Sequence, residues 1–79
     1  MQEFDDRKIY GSVYAACLAS YTDEEMAEAT ANLVTKEVKQ WMGDKNQVTS
    51  HEIFNKVTDE LEHLNKDAAF MYKTHRDVS

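Results

Sequence analysis

The chain has 79 residues with no proline, two glycines and 42% hydrophobic content, which bounds it to one small, mostly helical globular domain over 1–79. Fifteen acidic residues against nine basic ones give a net charge of −6, which argues against nucleic-acid binding because that needs a positive field. No apolar run reaches the length of a membrane span, no leader-like segment opens the chain, and the single Cys17 excludes an internal disulfide framework or a cysteine-based zinc ribbon, so a soluble cytoplasmic protein is expected.

The first predicted helix runs from about 5 to 20. It opens on Phe4-Asp5-Asp6-Arg7-Lys8-Ile9, an apolar residue, a capping residue and a second apolar residue across the first turn. Ile9, Val13 and Ala16/Cys17 recur at helical spacing, with Tyr10 and Tyr14 on the adjacent strip. Gly11 costs roughly 1 kcal/mol against alanine in such a helix, so close approach of another element is expected there. The second helix, about 22–42, opens on Tyr21-Thr22-Asp23-Glu24-Glu25-Met26, where Glu25 lies three residues after Thr22 as in a capping box. Its apolar stripe is read as Met26, Ala29/Thr30, Leu33, Val34, Val38 and Trp41/Met42, ended by Gly43 as a left-handed cap.

The third helix, about 50–64, opens on Val48-Thr49-Ser50-His51-Glu52-Ile53, with Thr49 and Glu52 spaced for a capping box. Ile53, Val57, Leu61 and Leu64 share one predicted face, with Phe54 beside it. Asn65 is placed to end this helix and to cap a fourth, about 66–76, whose apolar content is Ala69, Phe70, Met71 and Tyr72. The last three residues are expected to fray. Short connections of this kind favour antiparallel neighbours, hence an all-α four-helix bundle.

Little in the chain looks catalytic. His51-Glu52 lacks a second histidine at the fifth place, where Asn55 stands, so a zinc-protease helix is not encoded and no metal site is assigned. Cys17 falls on the apolar face of its helix and reads as a core thiol. Trp41 reads as an edge-of-core residue. No glycine-rich phosphate loop, nucleophile elbow or paired-carboxylate arrangement occurs, and no enzymatic activity is expected.

Taken in order, Phe4-Asp5, Lys8-Ile9, Ser12, Ala16, then Val48-Thr49-Ser50, Ile53, Val57, Leu61, then Ala69-x-x-Tyr72-x-x-His75-Arg76 resembles the ATP-cone domain. That regulatory module binds ATP or dATP in ribonucleotide reductases and in a repressor of their genes. The resemblance spans residues 4–76. It implies a β-hairpin or short sheet followed by a four-helix bundle, with the nucleotide and its magnesium held between them. The family's opening basic strand is absent ahead of Phe4, so the hairpin is expected to be missing or vestigial, and something is expected to precede Met1 in the natural chain. The contacts implied here are Phe4, Lys8 and Ile9 at the first helix start and Thr49, Ser50, Ile53 and Phe54 around the third. Phe54 stands where some members carry histidine, and His75 where tyrosine is usual.

The residues agree in part. Helix starts at Asp5 and Thr49 offer N–H groups and positive dipole ends to phosphate, Lys8 and Arg7 add charge, and Lys66 or Lys73 are placed to add more. Glu3, Asp5 and Asp6 oppose them. The resemblance therefore implies a non-catalytic regulatory module for adenine nucleotide whose own binding is impaired. It acts through a protein partner or a homo-oligomer. The second reading is a helical protein–protein interaction or self-association module with no small-molecule ligand, resting on the acidic surface and on an apolar strip near Tyr10, Tyr14 and Phe70.

Overall fold

The computed structural model describes residues 6–43, 45 and 47–78, with side chains through Thr74. Four helices follow one another: α1 (Asp6–Ala19), α2 (Glu24–Gly43), α3 (Ser50–Leu64) and α4 (Lys66–Val78). Among the described residues there is no strand, and the expected all-α four-helix bundle is the observed fold. α1 packs on α2 and α4, and α3 packs on the same two helices. Short links make successive helices antiparallel, so α1 and α3 begin at one end of the bundle while α2 and α4 begin at the other.

The core is built from small side chains. Ile9, Val13, Ala16 and Cys17 come from α1, Ala27, Ala31, Val34 and Val38 from α2, Val57 and Leu61 from α3, and Ala68 and Ala69 from α4. Leu61 is the largest of the fully buried side chains. Alanines at facing positions let helix axes approach closely, and dispersion contacts then compensate for the modest apolar area. Cys17 lies in this core as the sequence implies, and burial pushes its thiol pKa upward.

On α2 the buried face is Ala27, Thr30, Ala31, Val34 and Val38, with Trp41 and Met42 packed against the core. Thr30, Val34, Val38 and the Trp41/Met42 end of the predicted stripe therefore hold, while its Met26, Ala29 and Leu33 positions are corrected. Met26 is 59% exposed and Leu33 42% exposed. The shared residues hold the centre of the face, and its edge falls on Ala27 and Ala31 rather than on Met26 and Leu33 because alanine and its bulkier neighbours both satisfy an apolar pattern. The start of α2 is also displaced. Asp23 caps it, its Oδ2 accepting from Met26 N–H at 3.4 Å and its carbonyl from Ala27 N–H at 2.8 Å. Thr22 turns away to accept from the Asn65 amide at 2.9 Å and to share a hydrogen bond with the Ser20 hydroxyl at 3.0 Å. The Thr22–Glu25 capping box is therefore replaced by a link from the first turn to the α3–α4 junction.

The other start signals are used as read, within the described residues. Thr49 Oγ1 accepts from Glu52 N–H at 3.1 Å and Glu52 Oε1 accepts from Thr49 N–H at 3.2 Å, a complete capping box. Asn65 donates its backbone N–H to the Leu61 carbonyl at 2.7 Å and accepts Ala68 N–H on its side chain at 3.0 Å, ending α3 and capping α4 in one residue. The Phe4-Asp5 start lies outside the described residues. α4 continues to Val78 rather than stopping near Arg76.

Both glycine expectations are overturned. Gly11 is exposed and an added Cβ would meet nothing within 4 Å, so no element approaches it. Gly11→Ala is therefore expected to raise stability by about 1 kcal/mol, read as an increase in urea midpoint at unchanged slope. Gly43 does not adopt positive φ. The left-handed position is instead Tyr21, at φ 65°. Tyr21 N–H donates to Leu18 O at 3.0 Å and Thr22 N–H to Cys17 O at 2.9 Å, a Schellman closure of α1 with tyrosine where glycine is usual. The ring is 98% exposed, so no intramolecular packing offsets the backbone strain. Tyr21→Gly is expected to stabilise the fold by about 1 kcal/mol, and an unchanged or lowered melting temperature would contradict that assignment.

Candidate functional site

The bundle end where α1 and α3 begin gathers most of the residues singled out in the sequence. Lys8 stands exposed on the first turn of α1, while Ile9, next to it, is buried in the core and can serve only as floor. On α3, Thr49 and Ser50 are exposed, Ile53 and Phe54 are half-buried, and Ile53 packs against the core. Phe4 lies outside the described residues.

Phe54 stacks on Tyr72 of α4, with ring centroids 5.3 Å apart and planes inclined by 19°. Tyr72 is the functional candidate the sequence reading did not place with Phe54; its position in the Ala69-x-x-Tyr72 pattern was visible, its pairing across two helices was not. The stack forms an aromatic wall beside the α3 N-terminus. The capping box uses Thr49 N–H and Glu52 N–H internally. Among the described residues Ser50 and His51 N–H meet no acceptor outside the helix, so these are the donors left at the positive end of the α3 dipole.

Positive charge is sparse here. Lys73, a candidate phosphate partner, bonds Glu62 Oε1 at 3.3 Å across the α3–α4 interface. At the end of α2, Lys45 Nζ sits 5.0 Å from the centroid of the half-buried Trp41 ring, within cation–π range. Lys66 is at the opposite end of the bundle, on the first turn of α4, and so is removed from this site.

A second concavity flanks α1 and was not read from sequence. It is a groove of about 390 Å³ lined by Asp6, Asn32, Thr35, Lys36, Lys39 and Gln40. Lys39 is paired with Asp6 at 3.2 Å, and the buried Thr35 Oγ1 has no hydrogen-bond partner among the described residues. Lys8 lies about 200° round α1 from Asp6, so this groove and the exposed face of Lys8 are on different sides of the helix. Among the described residues no group of three His, Cys, Asp or Glu side chains could hold a metal ion, and no helix is long and apolar enough to cross a membrane.

A sequence model of the ATP cone domain matches residues 1–78, almost the entire chain. The chain belongs to the ATP cone family. No curated protein and no solved structure matches it. ATP cones are regulatory nucleotide-binding modules, generally without catalysis. In this cone the four helices are present as the family resemblance implied, and the match begins at Met1, ahead of the described residues.

Proposed function

We propose that this ATP cone is a non-catalytic regulatory module that takes ATP or dATP, with its magnesium, at the end where α1 and α3 begin. The family match over residues 1–78 carries the reading, and the Phe54–Tyr72 stack beside the α3 N-terminus supports it physically. Phe54 and Ile53 supply an apolar wall for the base, with Ile9 beneath and Phe4 as the further expected contact. Thr49 orients the first turn of α3, Ser50 and His51 N–H groups face the phosphates, and Lys8 supplies the charge.

Affinity is expected to be weak. A triphosphate carries several negative charges, and Lys73 is already paired with Glu62 while the chain as a whole is acidic. Desolvating such an anion against one lysine and one helix dipole leaves a small net gain, of the order of 4 kcal/mol for millimolar binding. The regulatory output is read through a protein partner or self-association.

Titration of an isotope-labelled chain with Mg·ATP, Mg·dATP and Mg·GTP tests this. Amide shifts are expected around residues 8–9, 50–54 and 72 with the adenine nucleotides at millimolar concentration, and Phe54→Ala is expected to abolish them. Shifts confined to 32–40 would move the site to the α1–α2 groove, and silence with all three ligands would sink the nucleotide reading.

A further inference from the structure

The opposite end of the bundle carries features that nucleotide binding does not use. Tyr21 is held in the left-handed region by the Schellman bonds behind it and by the Thr22–Asn65 hydrogen bond ahead of it. Its ring projects into solvent, and on α4 Phe70 is 64% exposed. Between them lies a groove of about 260 Å³ lined by Ala19, Ser20, Tyr21, Asp67, Phe70 and Met71. A strained backbone position that presents an uncovered aromatic ring has no return inside this molecule. Glycine would close α1 better. Exposed aromatics flanking a groove are typical anchors of protein contacts.

Asp67 lines this groove and the start of α2, which follows Tyr21 in the chain, is acidic as well, and this charge selects the occupant. Asp23, Glu24, Glu25 and Glu28 line the first two turns of α2 and Asp67 the first turn of α4, all exposed and none in an ion pair among the described residues. Lys66 is the basic residue beside them. The field reaches Tyr14, whose phenol is pushed upward by desolvation first and then by the charges of Glu24 and Glu28. A two-fold contact between copies of this chain would set these acids against one another, since an isologous interface repeats the same patch on both sides.

We propose that this end of the bundle docks a basic segment of another protein, whose apolar anchor enters the groove between Tyr21 and Phe70 while its lysines or arginines meet Asp67 and the acidic start of α2. The surface is separate from the nucleotide site, and its occupancy does not require that site to function.

The probe is an amphipathic leucine–lysine helical peptide titrated into the isotope-labelled chain, in parallel with leucine–glutamate and serine–lysine peptides of equal length. The expected result is a set of amide shifts confined to residues 19–28 and 65–71 with the leucine–lysine peptide. The serine–lysine peptide should bind about tenfold or more weakly, the leucine–glutamate peptide should be silent, and added salt should weaken the complex. Tyr21→Gly, which relieves the strain and keeps the fold, and Phe70→Ala, at an exposed position, should each lose about tenfold in affinity. Shifts spread over the acidic faces of α2 and α3 alike, or a Tyr21→Gly chain that binds like the parent, would overturn the proposal. So would sedimentation showing a dimer disrupted by Tyr21→Gly.

Discussion

Replacing Leu61 by alanine is expected to cost about 3 kcal/mol, while the same change at Leu64, one turn further along α3, is expected to cost less than about 1 kcal/mol. Leu61 is wholly buried and Leu64 is 45% exposed. The neighbours of Leu61 include valines and alanines whose short side chains cannot swing in to fill a void, so most of the cavity would persist. A domain of this size has roughly 4–12 kcal/mol of stability in total, and such a loss corresponds to a fall in melting temperature of roughly 12–24 °C. Thermal unfolding followed by far-UV circular dichroism on the two variants decides the matter. Equal destabilisation would mean that α3 presents a different face to the core.

The second large effect is expected at Asn65. Asn65→Ala removes the acceptor for Ala68 N–H at 3.0 Å and the amide donor to Thr22 Oγ1 at 2.9 Å, at a combined cost of about 2 kcal/mol, half from the cap and half from the partly buried side-chain bond. Asn65→Asp keeps the cap acceptor and places a negative charge at the α4 N-terminus, so it should recover about 1 kcal/mol of the loss. A double-mutant cycle with Thr22→Val isolates the link between the two chain reversals, with an expected coupling of about 1 kcal/mol. A coupling indistinguishable from zero would show that the Thr22–Asn65 contact carries no energy and that the turn at Tyr21 is held by its own backbone bonds alone.

These two residues also show how far local signals reach. Asn65 was legible as an end and a start because both roles involve atoms within four residues of it. Its bond to Thr22, 43 residues away in sequence, leaves no trace in either local pattern. Thr22 looked like a cap for the same reason: Thr-x-x-Glu satisfies the capping-box spacing, yet Asp23 can cap equally well and releases Thr22 for the distant amide. The candidate site divides in the same manner. The capping box at Thr49 and the positions of Ile53 and Phe54 on one turn of α3 follow from spacing, whereas the Phe54–Tyr72 stack, the loss of Lys73 to Glu62 and the removal of Lys66 to the far end follow from how α4 lies against α3.

What the amino-acid order determined by itself was the number of helices, their class, the capping at Thr49 and Asn65, and the buried face of α1, where Ile9, Val13 and Cys17 recur at helical spacing with Tyr10 and Tyr14 beside them. Each of those is settled by interactions spanning one helical turn, within which sequence neighbours are also spatial neighbours. Only the packed bundle decided that Ala27 and Ala31 rather than Met26 and Leu33 edge the buried face of α2, that Gly11 faces open solvent, and that Tyr21 rather than Gly43 takes the left-handed conformation. In those cases two local solutions lie within about 1–2 kcal/mol of each other, and the choice falls to the helices that arrive from elsewhere in the chain.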